Sequence, residues 1–383
     1  MAMPIAHEHA VPLHVCIATG QNAANLIPLK QLQAVEVLIL QTPAMRDNAA
    51  HLETALRQEG RAICRQDFDD AGPAAIEAAA QAVAEQLDGR HVVLHVTGGT
   101  KLMVLALRDS LRLLETGSGR LDIVYADTPR QQLDWLGSAP RTEPMADVLD
   151  LREMLLVQGY CIESDTRPAA TQSRASARAG LTRELGDNAA RYGKFFSALA
   201  TLASLADSSG GLTQEFQFAP GGANATLLNK AADQGLLQWA GGEQITFADE
   251  DAAHYFAGAW LEEFVFLKLS GLARPGRYGT NVVINSTKGK GVRNEIDAIL
   301  IQRNRALLIE CKTGRQHKAQ DALYKLAQLR QSLGGSVAGA LYLSAQPVPD
   351  DVRRRADEYR IAVLAGNEIG QLVPRLKEWQ TTP

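Results

Sequence analysis

Asn294-Glu-Ile-Asp297-Ala-Ile-Leu-Ile-Gln-Arg-Asn-Arg-Ala-Leu-Leu-Ile-Glu310-Cys-Lys312 contains two apolar runs joined by the polar segment Gln302–Arg305. Short apolar runs bounded by turn residues predict strands, here the hairpin Glu295–Gln302 and Ala306–Cys311. In such a hairpin Asp297 comes opposite the end of the second strand, and Glu310 and Lys312, two residues apart, point to the same face. Three ionisable groups thus converge. A charge directly after the apolar run Ala306–Ile309 is costly unless it is paired or bound to a metal. Two carboxylates offer hard oxygen ligands to Mg²⁺ or Mn²⁺, and such a metal lowers the pKa of an attacking water. A lysine beside them can orient that water or stabilise charge on phosphorus oxygens. The candidate metal ligands are therefore Asp297, Glu310 and the backbone carbonyl of Cys311, with Lys312 as the catalytic cation. Glu262, in Ala-Trp-Leu-Glu262-Glu263, is a candidate extra carboxylate for catalysis and metal binding. The competing reading is a surface ion pair at the ends of two strands.

Around the hairpin, a helix over Trp260–Leu269, a strand Asn281–Asn285, a helix His317–Leu333 and a strand Val337–Leu343 predict a compact α/β domain with a mixed sheet over residues 251–383. Thr287-Lys-Gly-Lys-Gly-Val-Arg293 reads as a basic loop able to hold a nucleic-acid backbone, or equally as a solvated tip. Arg353-Arg-Arg355 reads as an exposed helix face. Residues 151–250 are expected to form a connecting region. Glu163–Asn188, rich in Ala, Ser, Thr and Arg, reads as irregular. Helices at Ala189–Ala206 and Ala223–Asp233, then short strands Leu236–Trp239 and Gln244–Phe247 around Gly241-Gly242, outline a winged-helix-like unit. Its second helix carries only Lys230 as a cation, which favours a spacer or dimer element over a DNA reader.

In residues 1–150, strand-like runs at Leu13–Thr19, Val35–Gln41, Arg61–Arg65, His91–Val96, Leu121–Ala126 and Gln131–Leu136 alternate with helical stretches at Ala44–Glu59, Pro73–Asp88 and Leu102–Glu115. This is the pattern of βαβ units and a Rossmann-like parallel sheet, with ligands expected beyond the carboxyl ends of its strands. His91–Val96 runs into Thr97-Gly98-Gly99-Thr100-Lys101 and then a helix. Glycines there admit a close ligand, while amides and hydroxyls at a helix N-terminus suit phosphate. A tight turn with an N-cap threonine is the plainer alternative. Neither the P-loop nor the dinucleotide glycine pattern is present, which demotes ATP hydrolysis and nicotinamide chemistry.

The 383 residues are 46% hydrophobic and 21% charged, as in a globular protein with room for two or three domains. No apolar run reaches membrane-spanning length. The start, Met1-Ala-Met-Pro-Ile-Ala-His, lacks the features of a signal peptide, so a cytoplasmic location is expected. Cys16, Cys64, Cys161 and Cys311 are far apart, suggesting neither a disulfide framework nor a zinc ribbon. A formal net charge of −4 means that nucleic acid must be met by a local patch.

The string Gly258-Ala-Trp-Leu-Glu262, Asn294-Glu-Ile-Asp297, Ile309-Glu310-Cys-Lys312-Thr-Gly and Lys325-Leu resembles the PD-(D/E)xK nucleases. More narrowly, it resembles the nuclease half of CARF-domain effectors from type III CRISPR systems. Ile296-Asp297 replaces that superfamily's leading Pro-Asp and keeps the acid. The strand-to-Thr-Gly-Gly-Thr-Lys turn resembles the CARF sensor. The resemblance implies a CARF domain, a winged-helix-like middle region and a restriction-endonuclease-like domain in a homodimer. It further implies activation by a cyclic oligoadenylate, with cyclic tetra-adenylate favoured, and cleavage of single-stranded RNA and/or DNA with Mn²⁺ or Mg²⁺. Thr97, Gly98, Gly99, Thr100 and Lys101 would hold the ring phosphates, joined by Gln21, Asn22, Asn25 and Thr42 from neighbouring loops. Two other readings remain: a ligand-responsive transcription regulator, and a constitutive repair-type nuclease with a passive N-terminal platform.

Overall fold

A computed structural model describes residues 11–57, 60–113, 119–137, 139–164, 169–287, 293–314 and 319–381. Residues 1–10, with the start that lacks signal-peptide features, and residues 288–292 of the basic loop lie outside the described residues.

The first sheet contains β1 (Leu13–Ile17), β2 (Glu36–Gln41), β3 (Ala62–Asp67), β4 (His91–His95), β5 (Arg120–Asp127), β6 (Gln132–Leu136) and β7 (Arg141–Pro144). Their order is β3-β2-β1-β4-β5-β6-β7, parallel from β3 to β5 and antiparallel beyond. The chain reverses its direction of winding between β1 and β4, which opens a crevice at their carboxyl ends. The expected βαβ architecture is present. One helix, Ala23–Gln31, was not anticipated, because Pro28 inside it reads as a breaker.

Residues 163–188 depart from the expected irregular connection. β8 (Tyr160–Ser164) is followed by helices Ala169–Ala177 and Ala179–Asp187. Alanine and arginine are strong helix formers, and Leu181 and Leu185, four residues apart, are both buried. That spacing is one helical stripe. The helix Ala189–Ser209, β9 (Thr213–Glu215), the helix Ala223–Asp233, β10 (Leu237–Trp239) and β11 (Gln244–Phe247) follow, with sheet order β10-β11-β9. The helix, helix, hairpin outline is present, with β9 added.

The last sheet contains β12 (Tyr278–Ser286), β13 (Arg293–Gln302), β14 (Arg305–Lys312), β15 (Gly339–Ser344) and β16 (Ala362–Ala365). Its order is β16-β15-β14-β13-β12-β8, so β8, from the expected connecting region, is its edge strand. β14 and β15 are parallel, whereas β13 and β14 form the antiparallel hairpin. The hairpin turns at Arg303 and Asn304 with φ of 51° and 54°, the left-handed pair that a two-residue turn requires.

The two large sheets share a core. Cys16 and Ile39 from the first sheet with Leu52 from the helix Arg46–Arg57, Met154 and Leu155 from the helix Leu151–Val157, and Ile299 and Leu308 from the last sheet with Leu326 from the helix Ala319–Gly334 belong to one buried apolar cluster. Polar bonds lock the same seam. Asn304 Oδ1 accepts from the amides of Val148 and Leu149 at 2.9 and 3.0 Å, and its Nδ2 donates to the Ala146 carbonyl at 2.7 Å. Arg277 donates to Asp147 Oδ1 at 2.6 Å. No helix among the described residues is long and apolar enough to cross a membrane.

Candidate active site

Apolar β13 and β14 place Asp297, Glu310 and Lys312 together. The β13–β14 ladder ends at Ala298 opposite Ile309, and the next amide, that of Cys311, donates instead to Asp297 Oδ2 at 2.7 Å. On the other side, between the pairs Thr280–Ala298 and Val282–Ile296, Asn281 of β12 takes φ +54°. Asparagine tolerates that conformation better than most residues. Asp297 thus lies where the sheet loosens on both flanks. Lys312 Nζ is 2.6 Å from Glu310 Oε1 and 3.9 Å from Asp297 Oδ2.

Electrostatics mark the same spot. Burial, then the neighbouring Glu310 charge, push the Asp297 carboxyl up to about 7, with a smaller push from Glu262. Burial pulls the Lys312 ammonium down, but Glu310 and Asp297 outweigh it and hold it above the usual lysine value. Burial, reinforced by the acids, pushes the Cys311 thiol well up, so it remains a thiol and only its carbonyl is an available ligand. Two mutually repelling, half-buried carboxylates beside a backbone carbonyl fit a hard divalent cation. Among the described residues no three His, Cys, Asp or Glu side chains gather into a metal cluster. Glu262 lies near enough to Asp297 to raise its carboxyl through charge.

Two features around Glu262 were not anticipated. Glu263, fully buried, binds Arg178, whose Nε donates to Glu263 Oε2 at 3.0 Å and whose Nη1 donates to Asp251 Oδ2 at 2.8 Å. The Arg178 guanidinium also lies 4.3 Å over the Tyr255 ring. In addition, a Cβ at Gly258 would sit 2.7 Å from Thr313 Oγ1, so any side chain at this position in the segment before helix Trp260–Ser270 would have to displace the Thr313 hydroxyl, one residue after Lys312. An Arg within the run 163–188, read as irregular, carries no sequence signal of this pairing, whereas Gly258 belongs to the Gly258-Ala-Trp-Leu-Glu262 motif.

The loops at the carboxyl ends of the first sheet are arranged differently from expectation. Gly98 is a packing glycine: a Cβ there would lie 2.3 Å from the Ile17 carbonyl oxygen and 2.9 Å from Asn25 Nδ2. Thr97 Oγ1 accepts from the Ala126 amide at 2.8 Å, and Thr100 Oγ1 caps the helix Lys101–Leu111 through the Met103 amide at 3.3 Å. Asn22 and Asn25, expected to face a ligand, are fully buried. Asn22 bonds the Thr19 amide and the Asn48 carbonyl, and Asn25 donates to the Ile17 carbonyl, so both shape the loop from inside. Thr42 is likewise buried. Gly99, Thr100 and Lys101 remain exposed, while Gln21, half-buried, donates to the Gln331 carbonyl of the last domain at 3.5 Å.

Residues 249–382 match the family model of the Card1-like endonuclease domain. No curated protein matches the chain in sequence. Among solved structures, protein VC1899 from Vibrio cholerae superposes with a TM-score of 0.84 at 22% identity, over 97% of this chain and 99% of that one. Can2 from Sulfobacillus thermosulfidooxidans, in complex with cyclic tetra-adenylate, gives 0.77 at 20% identity over 97% of each chain. A type III CRISPR defence DNA nuclease activated by cyclic oligoadenylate gives 0.54 at 18% identity, over 95% of this chain and 49% of that one. Residues 249–382 thus match a Card1-like endonuclease domain, the chain is an endonuclease, and its fold is that of these solved structures.

Proposed function

We propose that this chain is a type III CRISPR-associated, metal-dependent endonuclease, switched on by cyclic tetra-adenylate and cleaving RNA and/or DNA as a homodimer. The convergence of Asp297, Glu310 and Lys312 carries the reading. Asp297, Glu310 and the Cys311 carbonyl would hold Mn²⁺ or Mg²⁺, with Glu262 tuning them electrostatically. Bound there, the cation supplies Lewis acidity and a lowered water pKa. Lys312, kept protonated by its two acidic neighbours, orients the phosphate and offsets its developing charge.

Cyclic tetra-adenylate, the ligand of Can2, would lie on the exposed Gly99-Thr100-Lys101 turn, where helix amides and Lys101 suit phosphates. Beside Lys101 the same helix exposes Leu102 and Leu105, an apolar stripe that supports a second copy of the chain as its cover. Activation requires only that the nucleotide prefer the cutting state, with about 1–3 kcal/mol of coupling.

The test is cleavage of labelled single-stranded RNA and supercoiled plasmid, with Mn²⁺ or Mg²⁺, in the presence and absence of cyclic tetra-adenylate. Wild type is expected to cut only with nucleotide and metal, Glu310→Ala to be inactive, and Lys101→Ala to lose its response to nucleotide. Cutting without nucleotide would overturn activation, and wild-type cutting by Glu310→Ala would overturn the site.

A further inference from the structure

A cavity of about 200 Å³ lies in the seam between sensor and nuclease. Gln21, Thr97 and Tyr125 stand on its sensor side, at the carboxyl ends of the parallel strands. Opposite them is the segment Asn304-Arg305-Ala306, which turns β13 into β14. Its floor includes Gln158, just after the helix Leu151–Val157. Gln158 is 4% exposed, and its side-chain oxygen has no hydrogen-bond partner. A buried acceptor left unpaired costs about 1–3 kcal/mol, so such an atom calls for an occupant of the space it lines.

The cavity is smaller than the roughly 300–1,000 Å³ of sites that enclose a whole small-molecule ligand. It is roomy for isolated water, at about 30 Å³ each. A single planar base fits between those limits. The exposed aromatic Tyr125 offers it a stacking face, and Gln158 offers an acceptor to an exocyclic amine. We infer that this cavity receives one adenine base of the activator, and that filling it presses on the hairpin turn leading to Glu310 and Lys312.

The inference rests on the reading of the chain as a nuclease activated by cyclic tetra-adenylate, and it adds the seat of a base and its route to the active site. Between Ala306 and Glu310 β14 is continuous and buried, so a shift at the turn is carried along a rigid strand. The hairpin's own anchor, Asn304, lines the cavity while bonding residues 146–149.

Calorimetric titration of the full-length protein with cyclic tetra-adenylate tests the assignment, comparing wild type, Gln158→Leu and Ala24→Phe, with thermal melts of each unliganded protein. Gln158→Leu removes an unpaired polar atom and is expected to keep or raise the melting temperature while weakening binding about tenfold, the loss of one buried hydrogen bond. Ala24→Phe, at the cavity wall, is expected to weaken binding at least as much by filling the space. Wild-type affinity in folded Gln158→Leu overturns the base pocket and leaves the activation reading standing, whatever Ala24→Phe does. Absence of binding by wild type overturns both.

Discussion

Replacing Arg178 by methionine would strip one side of the ion pair that anchors the helix carrying Glu262. Glu263 is fully buried, and Arg178 exposes 5% of its surface. Two guanidinium nitrogens hold the Glu263 carboxylate, the third holds Asp251, and the guanidinium plane lies over Tyr255. Asp251, at 28% side-chain exposure, can be re-solvated when Arg178 is gone, whereas Glu263 cannot. Removing one member of such a pair costs about 3–5 kcal/mol, because the other charge stays buried without its counter-ion. Replacing both with apolar residues of similar volume is far milder. Urea denaturation of Arg178→Met, Glu263→Leu and the double variant gives the cycle. The expectation is a loss of about 3–5 kcal/mol for each single variant and a substantial recovery in the double. A loss under about 1 kcal/mol for Arg178→Met, or a double variant as unstable as the sum of the singles, would refute this account of the pair.

Two further outcomes follow from close packing and from buried imidazoles. Gly258→Val drives a side chain into Thr313 Oγ1, which a Cβ alone would meet at 2.7 Å. Overpacking of this kind costs about 1–3 kcal/mol, and single-turnover cleavage is expected to fall at least tenfold with nucleotide binding unchanged; activity within twofold of wild type would show that Thr313 simply rotates away. On the first sheet, His14 Nδ1 and His95 Nε2 lie 2.9 Å apart in the core. Burial, then the charges of His91 and Arg61, lower His14 to about 4, and burial with His14 lowers His95. Each ring binds a proton near pH 6.5 when unfolded but stays neutral when folded, so the unfolded state takes up more protons in acid. Stability is therefore full above about pH 6.5 and falls as pH drops, with the His14 share, on the order of 3 kcal/mol, spread down to about pH 4. Melting curves between pH 7.5 and 4.5 should show this slope, and His14→Phe/His95→Leu should flatten it; an unchanged slope in the double variant locates the acid sensitivity elsewhere.

Much of the architecture was legible because its signals are local. Strand and helix periods in residues 13–136 mark the parallel sheet, and the two apolar runs around Gln302–Arg305 mark the hairpin, so Asp297, Glu310 and Lys312 meet as their spacing implies. What was missed depends on pairs distant in sequence. Asn22 and Asn25 read as loop residues offered to a ligand, but their partners, Asn48 and Ile17, turn them inward. Arg178 and Glu263 are 85 residues apart, and nothing local to either announces the other. β8 joins the last sheet through β12, more than a hundred residues along the chain. Helices at Ala169–Ala177 and Ala179–Asp187 were concealed because their stripe holds few large apolar residues.

The seam between the halves is where those non-local pairs bear on control. Domains joined by a loose linker move independently by default, with small polar contacts between them. Here a single apolar cluster runs from Cys16 and Leu52 through Met154 to Leu308 and Leu326. Independent tumbling would expose that core, so any relative movement of the halves proceeds by discrete repacking within it. The hairpin turn is where such repacking has the most leverage. Asn304 ties it to residues 146–149, just after β7 of the first sheet, and β14 continues from it to Glu310 and Lys312. A movement of the 146–149 segment must therefore either drag the hairpin or break the hydrogen bonds of Asn304. Breaking them leaves the buried Asn304 amide and its backbone partners unpaired, at about 1–3 kcal/mol per orphaned group. That cost is comparable with a typical coupling energy between two sites, which makes dragging the hairpin the cheaper course and ties the geometry of the acids to the position of the 146–149 segment.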